Sequence, residues 1–220
     1  MILTDRFDIE REHHAHGIAR LAGVDEAGRG PLAGPVVAAA AVLPSSWMDT
    51  GLPSELRRLD DSKKLSPKVR NDLFEHLIND PVIAHGVAII DSDTIDNINI
   101  LEATHLAMNQ ALAKLSPPAE HALVDGNPVK SLTLPQTAVI KGDSKSYSIA
   151  AASILAKVTR DRLMAEFHEL WPEYGFAGHK GYGTAAHLAA IATHGPCPIH
   201  RRSFAPIREQ LAQPDLFASA

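Results

Sequence analysis

Gly23-Val24-Asp25-Glu26-Ala27-Gly28-Arg29-Gly30-Pro31-Leu32-Ala33-Gly34-Pro35 is the stretch around which the rest of the chain is organised. An apolar run with Ile18, Leu21 and Val24 leads into two adjacent carboxylates, and a glycine-rich turn holding a single arginine follows. A second apolar run, Val36 to Leu43, then begins at once. In strand–turn–strand terms, Asp25 and Glu26 stand where a buried strand gives out, with side chains on opposite faces. Two acids at such a place are costly to bury unless a cation or hydrogen-bond donors meet them. The glycines let the backbone turn tightly and come close to a ligand. The combination points to a metal site beside a phosphate or sugar site, against the plainer alternative of a tight hairpin with solvated acids.

Composition narrows the setting. The 220 residues suit one domain with at most a small appendage, and 45% hydrophobic content is ordinary for a globular α/β protein. Cys197 is the only cysteine, so no intramolecular disulfide can form and a reducing compartment fits. Met1 to Phe7 lack the apolar core of a signal peptide, and Val36 to Leu43 is too short to span a bilayer. A cytoplasmic protein with no membrane association is expected. A formal charge of −5 argues against a protein that coats nucleic acid non-specifically, yet it leaves room for a basic surface around a metal-neutralised centre.

Along the chain, residues 1–16 carry mixed charges and His13-His14-Ala15-His16, read as a solvated arm and not a metal site. Residues 17–44 give two strands around the opening turn, and Pro44 to Arg58 reads as a loop. Ser66 is a good N-cap and Pro67 suits the first position of a helix carrying Val69, Leu73, His76 and Leu77. Val82 to Ile90 reads as a strand. Asp91, Asp93 and Asp96 open a long helix to about Leu115 as cap and first-turn acids. His121 to Gly126 is a strand ending in an acid and a glycine, the grammar of Val24-Asp25 again, and Thr137 to Ile140 is another, ending in Lys141-Gly142-Asp143. An alanine-rich helix runs from Ser144 to Leu170, buried on its alanine side. Trp171 to Gly183 is a Gly/aromatic loop, Thr184 caps a last helix to about His194, and residues 208–220 are expected to form a mobile tail. This succession describes a mixed sheet with helices.

Three element ends thus deliver acids: Asp25-Glu26, Asp125 and Asp143. Converging carboxylates raise one another's pKa. A divalent cation reverses that penalty, and hard oxygen donors suit Mg²⁺ or Mn²⁺. Asp143 also stands where it could cap the helix that follows. Asp161 lies 18 residues further on, five helical turns and roughly 27 Å away, so it is assigned to nearby surface arginines.

Asp25-Glu26-Ala27-Gly28-Arg29-Gly30-Pro31 with Gly34-Pro35, Asp61-Ser62-Lys63-Lys64-Leu65, Val124-Asp125-Gly126, Lys141-Gly142-Asp143, Ala151 to Asp161, and Gly178-His179-Lys180-Gly181-Tyr182-Gly183-Thr184 together resemble bacterial ribonuclease HII, in order, across roughly residues 18–207. The resemblance implies a ribonuclease H-like fold, a mixed central β-sheet flanked by helices, occupying residues 17–207 with a small helical C-terminal part. It implies hydrolysis of the RNA strand of RNA–DNA hybrids and cleavage 5′ of single ribonucleotides in duplex DNA. The expected chemistry is two-metal-ion phosphodiester hydrolysis leaving 5′-phosphate and 3′-hydroxyl ends. By the same resemblance Asp25, Glu26, Asp125 and Asp143 hold the metal, Gly28-Arg29-Gly30 read the ribose 2′-OH with backbone groups, and Tyr182 stacks on the adjoining deoxyribose. A 2′-OH is what separates RNA from DNA at a site.

Lys64, Lys145, Lys157, Lys180 and Arg201 are candidate phosphate contacts. Gln213-Pro214-Asp215-Leu216-Phe217 resembles the short peptide with which bacterial repair proteins dock on the sliding clamp, a functionless tail being the competing reading. Nothing demands more than a monomer. Two rivals are a junction resolvase of the same superfamily and a non-catalytic nucleic-acid-binding module. The first has no use for a 2′-OH-reading turn, and the second is disfavoured by four acids that repel phosphate.

Overall fold

The computed structural model describes residues 5–212. It opens on helix α1 (Asp8–Ala15) and strands β1 (Leu21–Ala27) and β2 (Val36–Val42). Next come the one-turn helix α2 (Trp47–Thr50), α3 (Pro67–Asn79), β3 (Ala84–Ile90) and α4 (Ser92–Ala113). Strands β4 (His121–Asp125) and β5 (Gln136–Val139) precede the long helix α5 (Tyr147–Leu170). Three helices finish the described chain: α6 (Phe176–His179), α7 (Ala185–His194) and α8 (Ala205–Ala212).

The five strands form one sheet in the order β3-β2-β1-β4-β5. β1 pairs antiparallel with β2 and parallel with β4, so the sheet is mixed. Side chains alternate across it. Val37, Ala39 and Ala41 pack with α3 and α5 on one face, while Val24, Ala38, Ala40 and Val124 pack with α4 on the other. Leu32, Met164, Tyr174, Phe176, Ile191 and Ile207 make a third core under the C-terminal helices.

Small residues set how closely α5 approaches β1. A Cβ on Gly23 would lie 2.0 Å from the carbonyl carbon of Ser148, so the strand and the start of α5 touch through backbone alone. Ala150, Ala151 and Ala152 continue the contact, fully buried.

Caps follow the sequence closely. Ser66 accepts from the Val69 amide, Asp91 from Thr94, and Thr184 from His187. Helix α4 is interrupted at Asn99, whose left-handed φ of 66° is matched by a side chain that accepts from the Leu101 and Glu102 amides and so recaps the second half.

Several expectations need correction. Ser146, accepting from Ile149, caps α5, and Asp143 sits in a separate single turn, Gly142–Ser144, so Asp143 is not the helix cap. Of the expected solvated arm 1–16, the described part from residue 5 is docked on the body: Phe7 and Glu10 are buried, and His13 hydrogen-bonds Thr137 on the sheet edge. Short helical turns occupy both stretches read as loops. Where a mobile tail is expected from residue 208, helix α8 continues to Ala212 with Ile207 fully buried beneath it. The clamp-like peptide Gln213–Phe217 lies outside the described residues.

Candidate metal centre and cleft

Val24 and Val124 are paired across parallel strands β1 and β4, so the next residues, Asp25 and Asp125, lie side by side just where that pairing stops, while Asp25 stays paired with Ala39 of β2. The alternation that sends Val24 and Val124 toward α4 sends both carboxylates toward α5. Asp125 pairs with Val139, and the chain turns after β5 to bring Asp143 to the same place. One carboxylate oxygen of each of Asp25, Asp125 and Asp143 lies within 4.8 Å of the others. The Gly142 amide donates to Asp125 Oδ1 at 2.6 Å, and the Glu26 amide donates to Asp25 Oδ1 at 2.7 Å.

The electrostatics are those of carboxyls that a cation would stabilise in their charged form. Burial, then Glu26 and Asp125, push the Asp25 carboxyl well up. Burial, then Asp125 and Asp61, raise Asp143. Burial raises Glu26 as well, against the opposing Arg29 guanidinium. Three converging hard oxygen donors, destabilised by burial and mutual repulsion, fit a divalent cation.

Glu26 departs from its companions. Its side chain points to the opposite face and accepts from Arg29 Nη1 at 3.2 Å, so it stands beside the triad. It borders two clefts, about 270 Å³ on the α5 side with Asp25, Gly28, Arg29, Gly30, Ser62, Lys63 and Tyr182, and about 250 Å³ on the α4 side with Asp125 and Asn127.

Tyr182 is half exposed, and a Cβ on Gly30 would lie 3.6 Å from its ring, so the tyrosine rises directly over the glycine turn. Its carbonyl accepts from His187 Nδ1 at 2.9 Å, which leaves His187 Nε2 to accept from His200 Nε2 at 3.0 Å.

The cations are arranged differently from the sequence expectation. Lys64 turns outward to Asp60 at 3.5 Å. Lys63 faces the cluster instead: burial works against its charge, but Asp25, Asp61, Asp143 and Asp125 together hold its pKa up. Lys145 is exposed on the turn after Asp143. Lys157 pairs with Asp161 at 2.7 Å, as Asp161 pairs more loosely with Arg70, so Asp161 takes no part in the cluster. Lys180 and Lys157 line a further cleft of about 540 Å³ with Arg70 and Arg162.

Arg201 is not a surface phosphate contact. It is fully buried and donates to the carbonyls of Gly28, Arg29 and Gly34 at 2.5–3.0 Å. Arg160, equally buried, donates to Ala33, Pro35 and Lys180 carbonyls at 2.9–3.1 Å. Two guanidiniums therefore hold the glycine turn from below and tie it to the Tyr182 loop. Sequence reading missed this role, because an arginine pair that binds backbone carbonyls carries no partner motif; the helical spacing of Arg160 with Ile149, Ser153 and Ala156 was the available signal.

A mixed sheet with acids side by side on adjacent parallel strands against one long helix defines a nuclease of the ribonuclease H-like class. The ribonuclease HII description matches residues 22–207, and the chain belongs to that family. It is 54% identical to ribonuclease HII of Geobacter sulfurreducens over 94% of this chain and 92% of that one. Among solved structures it is similar to ribonuclease H2 of Pyrococcus horikoshii, with a TM-score of 0.71 and 30% identity over 86% of this chain and 96% of that one. It is also similar to ribonuclease HII of Archaeoglobus fulgidus, solved as a complex with PCNA, with a TM-score of 0.67 and 26% identity over 88% and 95% of the two chains. The protein is accordingly an endoribonuclease of the ribonuclease H type acting on RNA–DNA hybrids.

Proposed function

We propose that this enzyme cleaves on the 5′ side of a ribonucleotide, including a single one embedded in duplex DNA, leaving 5′-phosphate and 3′-hydroxyl ends. The observation that carries the reading is the shared cleft: Asp25 and Glu26 line the same space as Gly28, Arg29, Gly30 and Tyr182. Asp25, Asp125 and Asp143, with Glu26 beside them, hold Mg²⁺ or Mn²⁺. When bound, divalent cations supply a water of lowered pKa and neutralise charge at the scissile phosphate.

The remaining work falls to the chain itself. Backbone groups of Gly28-Arg29-Gly30 meet the 2′-OH, held in place by Arg160 and Arg201. Tyr182 offers its exposed ring to the neighbouring sugar. Lys63, held charged by Asp25, Asp61, Asp143 and Asp125, balances part of their charge. Lys145, Lys157 and Lys180 supply phosphate contacts, and Lys64 belongs to this set only at its outer edge. The groove with Arg70, Lys157, Arg162 and Lys180 suits a duplex backbone despite the net negative charge.

A monomer working in the cytoplasm completes this reading, supported by the buried free thiol of Cys197; among the described residues no helix is long and apolar enough to cross a membrane. Docking of Gln213–Phe217 on a sliding clamp is supported by the PCNA complex of the Archaeoglobus relative. Loss of clamp binding on deletion of residues 213–220 is the expected result.

The test of the 2′-OH reading is binding by the inert variant Asp125→Asn. Fluorescence anisotropy should show tighter binding to a duplex carrying one ribonucleotide than to the matching all-DNA duplex. Equal affinities would remove the turn from substrate selection.

A further inference from the structure

Helix α1 lies outside the residues 22–207 that match the family, yet it inserts an acid against the start of α5. Glu10 is 1% exposed. Its Oε1 accepts from Ser146 Oγ at 2.6 Å, Ser148 Oγ at 2.9 Å and the Ser148 amide at 3.2 Å, all at the start of α5. Its Oε2 has no hydrogen-bond partner among the described residues. A buried carboxylate with one bare oxygen is an expense the fold does not need for packing alone. The positive end of α5 offsets part of that cost.

What Glu10 grips is one step from the acids. Ser146 is tied to the single turn that carries Asp143, because the Ser146 and Lys145 amides both donate to the Gly142 carbonyl at 2.8 Å. The Gly142 amide in turn donates to Asp125 Oδ1 at 2.6 Å. Space at this turn is tight: a Cβ on Gly142 would lie 2.5 Å from Ile149 Cδ1. On the other side, Ser148 is the residue against which Gly23 packs, two residues before Asp25. Phe7 buries its ring against Tyr147, with centroids 4.8 Å apart, and His13 bonds Thr137 at 2.9 Å, so α1 is pinned at both ends.

We propose that Glu10 is a positioning residue for the metal centre, setting the 142–148 segment so that Asp143 and Asp125 present their oxygens together. This rests on reading Asp25, Asp125 and Asp143 as the metal-holding acids. Glu10 touches neither cation nor substrate; it acts through Ser146 and Gly142. Partners that orient metal-binding groups in this way are worth about tenfold to a hundredfold in affinity.

The test is Mn²⁺ binding to the intact chain, by calorimetry or electron paramagnetic resonance, for wild type, Glu10→Ala, Glu10→Gln and Asp143→Asn, with thermal unfolding alongside. Glu10→Ala should weaken Mn²⁺ binding about tenfold. Glu10→Gln, which keeps an acceptor oxygen, should restore most of it. Should Glu10→Ala fail to fold, Ser148→Ala removes one of the three contacts, that of the Ser148 hydroxyl, and should weaken Mn²⁺ binding by a smaller factor. Unchanged Mn²⁺ affinity in Glu10→Ala or, failing that, in Ser148→Ala, with only stability reduced, would make Glu10 a structural residue and overturn the proposal. Unchanged Mn²⁺ affinity in Asp143→Asn would instead overturn the metal reading on which it rests.

Discussion

Asp25 and Asp125 stand side by side on parallel strands β1 and β4, one residue beyond the paired valines Val24 and Val124. Their proximity is a consequence of register, so neither carboxylate can leave without slipping a whole strand. Asp125→Asn should therefore leave the fold intact and lower turnover by roughly two to three orders of magnitude. Circular dichroism with a single-turnover cleavage assay checks both halves; an active, folded Asn variant would remove Asp125 from the chemistry.

Metal binding should strengthen with pH. Burial is the main cause holding Asp25, Asp143 and Glu26 above their ordinary values. Carboxyls of this kind add stability below about pH 4, and lose it as pH rises through the raised folded values. A cation binds only the ionised forms, so it must displace those protons. The stabilisation added by Mn²⁺ over EDTA should grow as pH rises from about 5 toward neutrality, read from urea midpoints at each pH. His200, held down to about 4 by burial, acts oppositely on total stability, which falls as pH drops from about 6.5 toward that value. The difference between metal and EDTA isolates the acids.

Tyr182 separates substrate contact from stability. Its ring is half exposed above Gly30, so Tyr182→Ala should barely move the unfolding midpoint. It should lower kcat/KM on a single-ribonucleotide duplex by roughly tenfold to a hundredfold, the scale of one lost aromatic stack. Tyr182→Phe, which keeps the ring, should stay close to wild type.

Gly23→Ala should be among the most damaging single changes in the chain. The new Cβ meets Ser148 and Ile149 backbone atoms at 2.0–2.2 Å, and backbone cannot yield as a flexible side chain does. A loss of about 3 kcal/mol or more is expected from denaturant titration.

The acid positions were readable from an apolar run that meets charge, although β1, expected to give out at Asp25, runs on through Glu26 to Ala27 because β2 stays paired with it. Val24-Asp25 and Val124-Asp125 share that grammar, and the structure puts them in adjacent, aligned strands. Helix caps at Ser66, Asp91 and Thr184 were equally local and equally visible. Lys63 and Lys64 were not separable, since a one-residue rotation in a short turn decides which faces the acids. Arg201 reads as surface charge in His200-Arg201-Arg202, and only tertiary packing reveals that it grips the glycine turn. Glu10, within Asp8-Ile9-Glu10-Arg11-Glu12, looks like one more solvated acid until α1 docks against α5.

The most direct measurement is cleavage of an end-labelled DNA duplex containing one ribonucleotide, with Mg²⁺, Mn²⁺ or EDTA, beside an all-DNA duplex of the same sequence. The expected result is metal-dependent cutting immediately 5′ of the ribonucleotide, with the all-DNA duplex and the EDTA reaction intact. Cutting of both duplexes would contradict 2′-OH reading by the Gly28-Arg29-Gly30 turn, and cutting in EDTA would contradict the metal centre.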